Sequence, residues 1–242
     1  MLTTMSGQEP EEEVLAPASR QRWEAMTFLH WRYGVEELQA LLPAGLTVDT
    51  NDGTGWVSIT PFLMKDFRLG PLPPVPGASD FPETNVRTYV RGPDGRDGLW
   101  FFSLEADSIA TVLGASSVYG VPYQFADMAV AQGEVVRYRS RRPDSPGIGH
   151  DITIRPEGPS PAPSELDHWL TGRWRAYSLV AGRLATVPVQ HQPWPLWDAS
   201  VVNLEQTLLT AAGLPDPRDD PRVQYSPGVD VRLGVPHPVD VG

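Results

Sequence analysis

The 242-residue chain contains no cysteine, which excludes disulfides, thiolate metal ligands and a cysteine nucleophile. Lysine is almost as scarce. Lys65 is the only one among nineteen basic side chains, so any chemistry that needs an amine must use it. No apolar run approaches the roughly 20 residues that span a bilayer as a helix. The start lacks a basic-then-apolar leader pattern and carries Glu9, Glu11, Glu12 and Glu13 instead. GxGxxG, a Walker lysine loop, HExxH and GxSxG are all missing. The five histidines lie far apart in sequence, and their spacing suggests no metal site. The net charge of −11 argues against nucleic acid and anionic membranes as partners. These absences lead us to expect a cytoplasmic protein with no cofactor and no metal.

Proline and glycine are plentiful, at 26 and 22, and they punctuate many short elements. Residues 1–20 are acidic and aperiodic and are expected to form a disordered tail. Residues 21–242 are expected to form one domain. Strand patterns recur at Met26–Tyr33, Gly55–Lys65, Phe81–Val90, Leu99–Glu105, twice within Gln124–Arg141, and at His150–Arg155. Trp174–Val180 and Leu184–Gln190 flank a hairpin turn, and Val229–Leu233 is a further strand. Short helices are expected at Val35–Leu42, Ser108–Leu113 and Asn203–Ala212. Another should follow the capping-box pattern at Ser164–Asp167. Four prolines between Gly70 and Gly77 dictate a loop, and residues 156–163 read as another. Strands dominate, which predicts a mostly β (α+β) fold: an antiparallel barrel or paired sheets with a few short peripheral helices.

The most informative stretch is Glu83-Thr84-Asn85-Val86-Arg87-Thr88-Tyr89. On a strand, Glu83, Asn85 and Arg87 share one face. Such a face is either solvated or the lining of a pocket, because charge is costly to bury in an ordinary core. In a pocket, Arg87 would bind a carboxylate bidentately. Glu83 would pair with Arg87 or act as an acid/base. Tyr119, Tyr123 and Phe102 are the candidate walls. Trp31 reads as core, and Lys65, beside Asp66, as exposed. Trp194 and Trp197 would clamp a barrel end. Arg137, Arg139 and Arg141 would form a solvated strand face.

Several segments in order resemble a known family. They are Trp31 with Leu42-Pro43-Ala44-Gly45-Leu46, then Gly55-Trp56-Val57 and Pro61-Phe62, then Glu83–Val90. Phe101-Phe102-Ser103-Leu104-Glu105, Pro122-Tyr123 and Trp194-Pro195-Leu196-Trp197 complete the set. From Trp23 to Val235 the chain resembles the YqjF-like bacterial proteins of unknown function, which are similar to acetoacetate decarboxylase. The resemblance implies that enzyme's cone-like barrel with one interior pocket. It also implies a lost mechanism. The decarboxylase has paired lysines after Tyr/Trp-Gly-x-Pro, the first of which forms a Schiff base. Here that segment reads Tyr119-Gly120-Val121-Pro122-Tyr123-Gln124. The expectation is a protein that binds a small organic ligand, a carboxylate or oxo acid. The alternative is a lysine-independent lyase, hydratase or isomerase using Glu83. A homodimer is left open.

Overall fold

The structure, a computed structural model, describes residues 9–109, 114 and 118–240. Its strands are β1 (Ser19–Tyr33), β2 (Thr47–Val48), β3 (Gly55–Leu69), β4 (Phe81–Arg91), β5 (Asp97–Ala106), β6 (Tyr123–Phe125) and β7 (Asp127–Gln132). They continue with β8 (Val136–Arg141), β9 (Gly149–Pro159), β10 (Arg175–Val180), β11 (Arg183–His191), β12 (Trp197–Gln206), β13 (Arg222–Leu233) and β14 (His237–Pro238). The described helices are α1 (Val35–Gln39), α2 (Glu165–Thr171) and α3 (Leu208–Ala211).

One sheet runs in the order β14-β11-β10-β5-β4-β3-β1-β13-β12-β9-β8-β7. A further pairing joins Val189, Gln190 and His191 of β11 to Leu233, Arg232 and Val231 of β13. That pairing closes β11, β10, β5, β4, β3, β1 and β13 into a ring. The ring is not purely antiparallel, since β5 pairs in parallel with both β10 and β6. The strands β12, β9, β8 and β7 leave the ring as an extension. Val136, Tyr138, Ile152 and Ile154 of the extension share one core with Leu29, Trp31, Val57, Ile59 and Val86 of the ring. Polar pins cross the same layer. Arg142 pairs with Glu105 at 2.5 Å, and the Thr84 hydroxyl meets His150 Nε2 at 2.9 Å.

Alternation explains which side chains face the ring interior, but it slips at three points. Ala25 takes φ 48° and Asp66 takes φ 51°. Phe102 is skipped in the pairing of β4 with β5, where Val86 faces Ser103 and Arg87 faces Phe101. Each slip moves the inward face by one residue, as a bulge does. Trp23 and Met26, Met64 and Phe67, and Phe101 and Leu104 all face the same interior space. Next to the Ala25 slip, Gly228, the partner of Glu24, sits at φ 142°, and a β-carbon there would collide with the Trp23 carbonyl. Both the backbone angle and the close approach require glycine.

Several expectations need correction. The helix expected at Asn203–Ala212 is strand through Gln206 and helix only at Leu208–Ala211, because β12 pairs with β9 along its length. Tertiary pairing overrides the helical spacing of Leu204, Leu208 and Leu209. Residues 156–159, expected in a loop, continue β9. β1 and β13 are much longer than expected, because each pairs with the other from end to end. The expected helix at Ser108–Leu113 falls largely outside the described residues, as do residues 1–8 of the expected tail. Residues 9–18 are irregular yet anchored. The Val14 N–H donates to Gln190 at 2.9 Å, and Glu11 pairs with the buried Arg175 at 2.5 Å. Ser164 caps α2 through the expected capping box with Asp167.

Candidate functional site

The ring encloses a cavity of about 100 Å³. Glu83, Asn85 and Arg87 enter it from β4, and Tyr119, Val121 and Tyr123 from the segment that leads into β6. Aromatic and aliphatic side chains supply most of the remaining wall, with Trp23, Phe62 and Trp194 among them. β4 works as its alternation requires. On its other face Val86 enters the inter-layer core, and the Thr88 hydroxyl donates to the Trp56 carbonyl at 2.7 Å.

Glu83 is 3% exposed. Its described partner is the Tyr123 hydroxyl, which donates to Oε2 at 3.1 Å. Burial pushes the carboxyl up to about 8, and the one hydrogen bond only partly opposes this. Glu83 is therefore largely protonated and neutral near pH 7. The same burial raises Tyr123 well above the usual phenol value.

Arg87 is 6% exposed, and its Nε is buried without a partner. Among the described residues no carboxylate lies within ion-pairing distance of it. The expected Glu83–Arg87 pair does not form. A protonated Glu83 has no charge to offer, and the carboxyl turns to Tyr123 instead. The guanidinium stands 5.5 Å from the centre of the Phe28 ring, with Tyr89 beside it. Burial lowers its pKa from the ordinary arginine value.

A second guanidinium, Arg173, also lines the cavity at 1% side-chain exposure. Its Nη1 donates to Asp49 Oδ2 at 2.9 Å and to Asp97. Its Nε and Nη2 are buried without hydrogen-bond partners, and the group lies 4.2 Å from the Trp169 ring centre. Arg173 is thus neutralised by two carboxylates, whereas Arg87 is not. His191 closes another side, packed between Trp174 and Trp194. Burial lowers it to about 4, so it is neutral. A neutral ring bonded through Nδ1 to the Gln192 carbonyl at 2.6 Å donates there, and Nε2 is left as an acceptor. Thr60 donates to Asn85 Oδ1, so the amide nitrogen of Asn85 remains as its donor.

The family assignment follows from comparison with known sequences. The family model DUF2071, an uncharacterized conserved protein, matches residues 20–230. The chain belongs to this family. Uncharacterized protein YqjF of Bacillus subtilis (strain 168) is 38% identical over 215 residues, which cover 88% of each chain. The fold is shared more widely. Acetoacetate decarboxylase from Legionella pneumophila superposes with a TM-score of 0.65 at 17% identity, covering 98% of this chain and 93% of that one. An acetoacetate decarboxylase-like enzyme from Sphingomonas wittichii RW1 gives 0.63 at 16% identity, covering 95% and 96%. The enduracididine biosynthesis enzyme MppR, complexed with pyruvate, gives 0.64 at 12% identity, covering 95% and 93%.

Within this DUF2071 member, five of the six candidate residues line one cavity: Glu83, Asn85, Arg87, Tyr119 and Tyr123. Phe102 does not. The slip in β5 turns it toward the inter-layer core, and Phe101 takes its place. Trp194 and Trp197 do not act together. Trp194 stacks on Trp23 at 6.0 Å inside the ring, while Trp197 packs against Tyr225 in the other core. Trp31 is core and Lys65 lies away from the cavity, its amine 2.8 Å from Asp80. Arg137, Arg139 and Arg141 form an exposed face, and Arg142 turns inward to Glu105. Arg173 and His191 were missed. Arg173 precedes β10, outside any strand pattern, whereas His191 ends β11 in phase with Val187 and Val189, which line the same cavity, so alternation along β11 was the signal that could have found it. Among the described residues no cluster of histidine and carboxylate side chains could hold a metal. Likewise no described helix is long and apolar enough to cross a membrane.

Proposed function

We propose that this protein binds a small organic carboxylate or oxo acid inside the ring, with Arg87 as the anion receptor. One observation carries this reading: Arg87 is a buried guanidinium with an open Nε and no carboxylate partner among the described residues, in a cavity walled mainly by apolar side chains. An unpaired buried charge costs several kcal/mol. A ligand carboxylate supplies the missing counter-charge and the geometry for a two-point contact. Glu83 does not repel the anion, because it is largely protonated near neutral pH. MppR, which shares the fold, is complexed with pyruvate, which supports the same class of ligand. Titration calorimetry with acetate, pyruvate and acetoacetate is expected to give one-to-one binding. If neither these three nor any longer carboxylate binds, the reading is wrong.

A second reading rests on Glu83 itself. A carboxyl near 8 that contacts Tyr123 can exchange protons with a bound oxo acid near neutral pH. In heavy water, such an enzyme would exchange the C3 hydrogens of pyruvate, as followed by proton NMR, and Glu83→Gln would stop the exchange. Retention of every C3 hydrogen by the wild-type protein would leave a binder.

Neither reading involves an imine. Tyr123 has no amine. The amine of Lys65 is held by Asp80, which raises its pKa and keeps it protonated outside the cavity. Borohydride reduction with acetoacetate is expected to leave the intact mass unchanged. A reduced adduct on Lys65 would overturn this expectation.

A further inference from the structure

A second chamber of about 310 Å³ adjoins the cavity and shares two wall residues with it, Phe67 and Tyr119. These two rings stand at the boundary between the chambers, where a neck would lie. Tyr119 is held in place by its hydroxyl, which donates to Ser19 Oγ at 3.1 Å, and Phe67 meets Phe81 edge-on at 6.4 Å. Beyond the neck the described lining is almost wholly apolar. Leu69, Leu72, Val75 and Val118 border it at 48%, 61%, 60% and 48% exposure. Its charged member, Arg68, directs Nε to the Asp66 carbonyl at 3.4 Å. The Pro-rich loop that carries Leu72 and Val75 keeps its shape, because the Val75 N–H donates to Ser79 Oγ at 2.6 Å. Exposed apolar side chains gathered around a concave, pre-shaped chamber mark a binding surface.

The two chambers differ in chemistry. The inner one holds Arg87, Glu83 and Asn85, while the outer one holds aliphatic side chains. The inner volume alone falls below the roughly 300–1,000 Å³ of small-molecule pockets, and the joined volume falls within that range. We infer that the ligand is amphiphilic: a carboxylate whose head meets Arg87 and whose aliphatic tail passes between Phe67 and Tyr119 into the outer chamber. This inference rests on the proposed function and adds the substrate class, a medium-chain acid or oxo acid rather than a compact one.

The test is calorimetry with straight-chain alkanoates from acetate to decanoate, each below its micellar concentration. Primary alcohols of the same length serve as controls, and the wild-type protein is compared with Leu72→Asp. Leu72 is exposed, so the substitution leaves the fold intact. Once the tail clears the neck, affinity is expected to rise roughly fourfold per added methylene. Leu72→Asp should remove that gain for the long acids and leave acetate and butyrate unchanged. Short acids that bind with no gain on lengthening would overturn this inference and leave the proposed function standing. A gain with length that ignores Leu72→Asp, or alcohols that bind as tightly as the acids, would also overturn it. If no acid of any length binds, both readings fall together.

Discussion

Arg87→Met is expected to weaken carboxylate binding by thirtyfold or more and to leave the ligand-free protein more stable than wild type. The two effects have one cause. Arg87 is buried with its Nε unpartnered, and no described carboxylate neutralises it. In the free protein the guanidinium has lost its hydration and regains only the face of Phe28 and the neutral hydroxyl of Tyr89. Methionine fits the same elongated space without a charge. Replacing poorly compensated buried charges with apolar side chains stabilises by about 1–4 kcal/mol in comparable cases. Binding moves the opposite way, because losing one partner of a buried charge pair costs about 2–5 kcal/mol. Denaturant unfolding and calorimetry on the same variant separate the two terms. A destabilisation above about 1 kcal/mol would show that the guanidinium is compensated in the free protein, and the argument for an anion receptor would fail with it.

Glu83→Gln is expected to remove a fall in stability with rising pH that extends to about pH 8 and that stands clear of the histidines between pH 6.5 and 8. The folded protein holds the Glu83 proton up to about pH 8, whereas the unfolded chain releases it near 4.5. Between those values the native state binds one proton more than the unfolded state, so stability falls as pH rises, by about 1.4 kcal/mol per unit. His30, His150 and His191 act in the opposite direction. Burial lowers them to about 3, 4 and 4, so their contribution rises with pH and is complete near 6.5. Wild-type stability should therefore peak near pH 6.5 and decline toward pH 8. Glutamine keeps the shape, can hydrogen-bond Tyr123 and does not titrate. The difference between the two proteins isolates Glu83, because the histidines are common to both. Glu83→Gln should gain on wild type by roughly 2 kcal/mol between pH 6.5 and 8. Parallel stability curves for the two proteins would mean that Glu83 is already ionised at neutral pH.

Local pattern in the sequence was enough to place β4 and to put Glu83, Asn85 and Arg87 on one face, but not to say whether that face was solvated or lined a cavity. Glu83, Asn85, Arg87 and their neighbours obey a period of two over an uninterrupted strand, and the structure keeps that face whole. The absence of any lysine at Tyr123-Gln124 is likewise plain in the sequence, and the expectation that no imine forms at that segment came from it. The capping box at Ser164 and the turn at Ala181-Gly182 were equally legible, because both depend only on nearby backbone. Tertiary structure decided the rest. The bulge at Phe102 depends on how β5 must pair with β4 to close the ring, so periodicity could not tell Phe101 from Phe102. Arg173 reaches the cavity from the segment before β10, where alternation has no phase, and His191 continues the Val187 and Val189 face of β11, which only the closed ring turns toward the cavity. The strand at β12 displaced a helical pattern because β9 offered it a long partner. Sequence also named Glu83 as the natural partner of Arg87, two residues on the same face. Only burial inside a closed ring, which no local pattern encodes, protonates Glu83 and leaves Arg87 without a counter-charge.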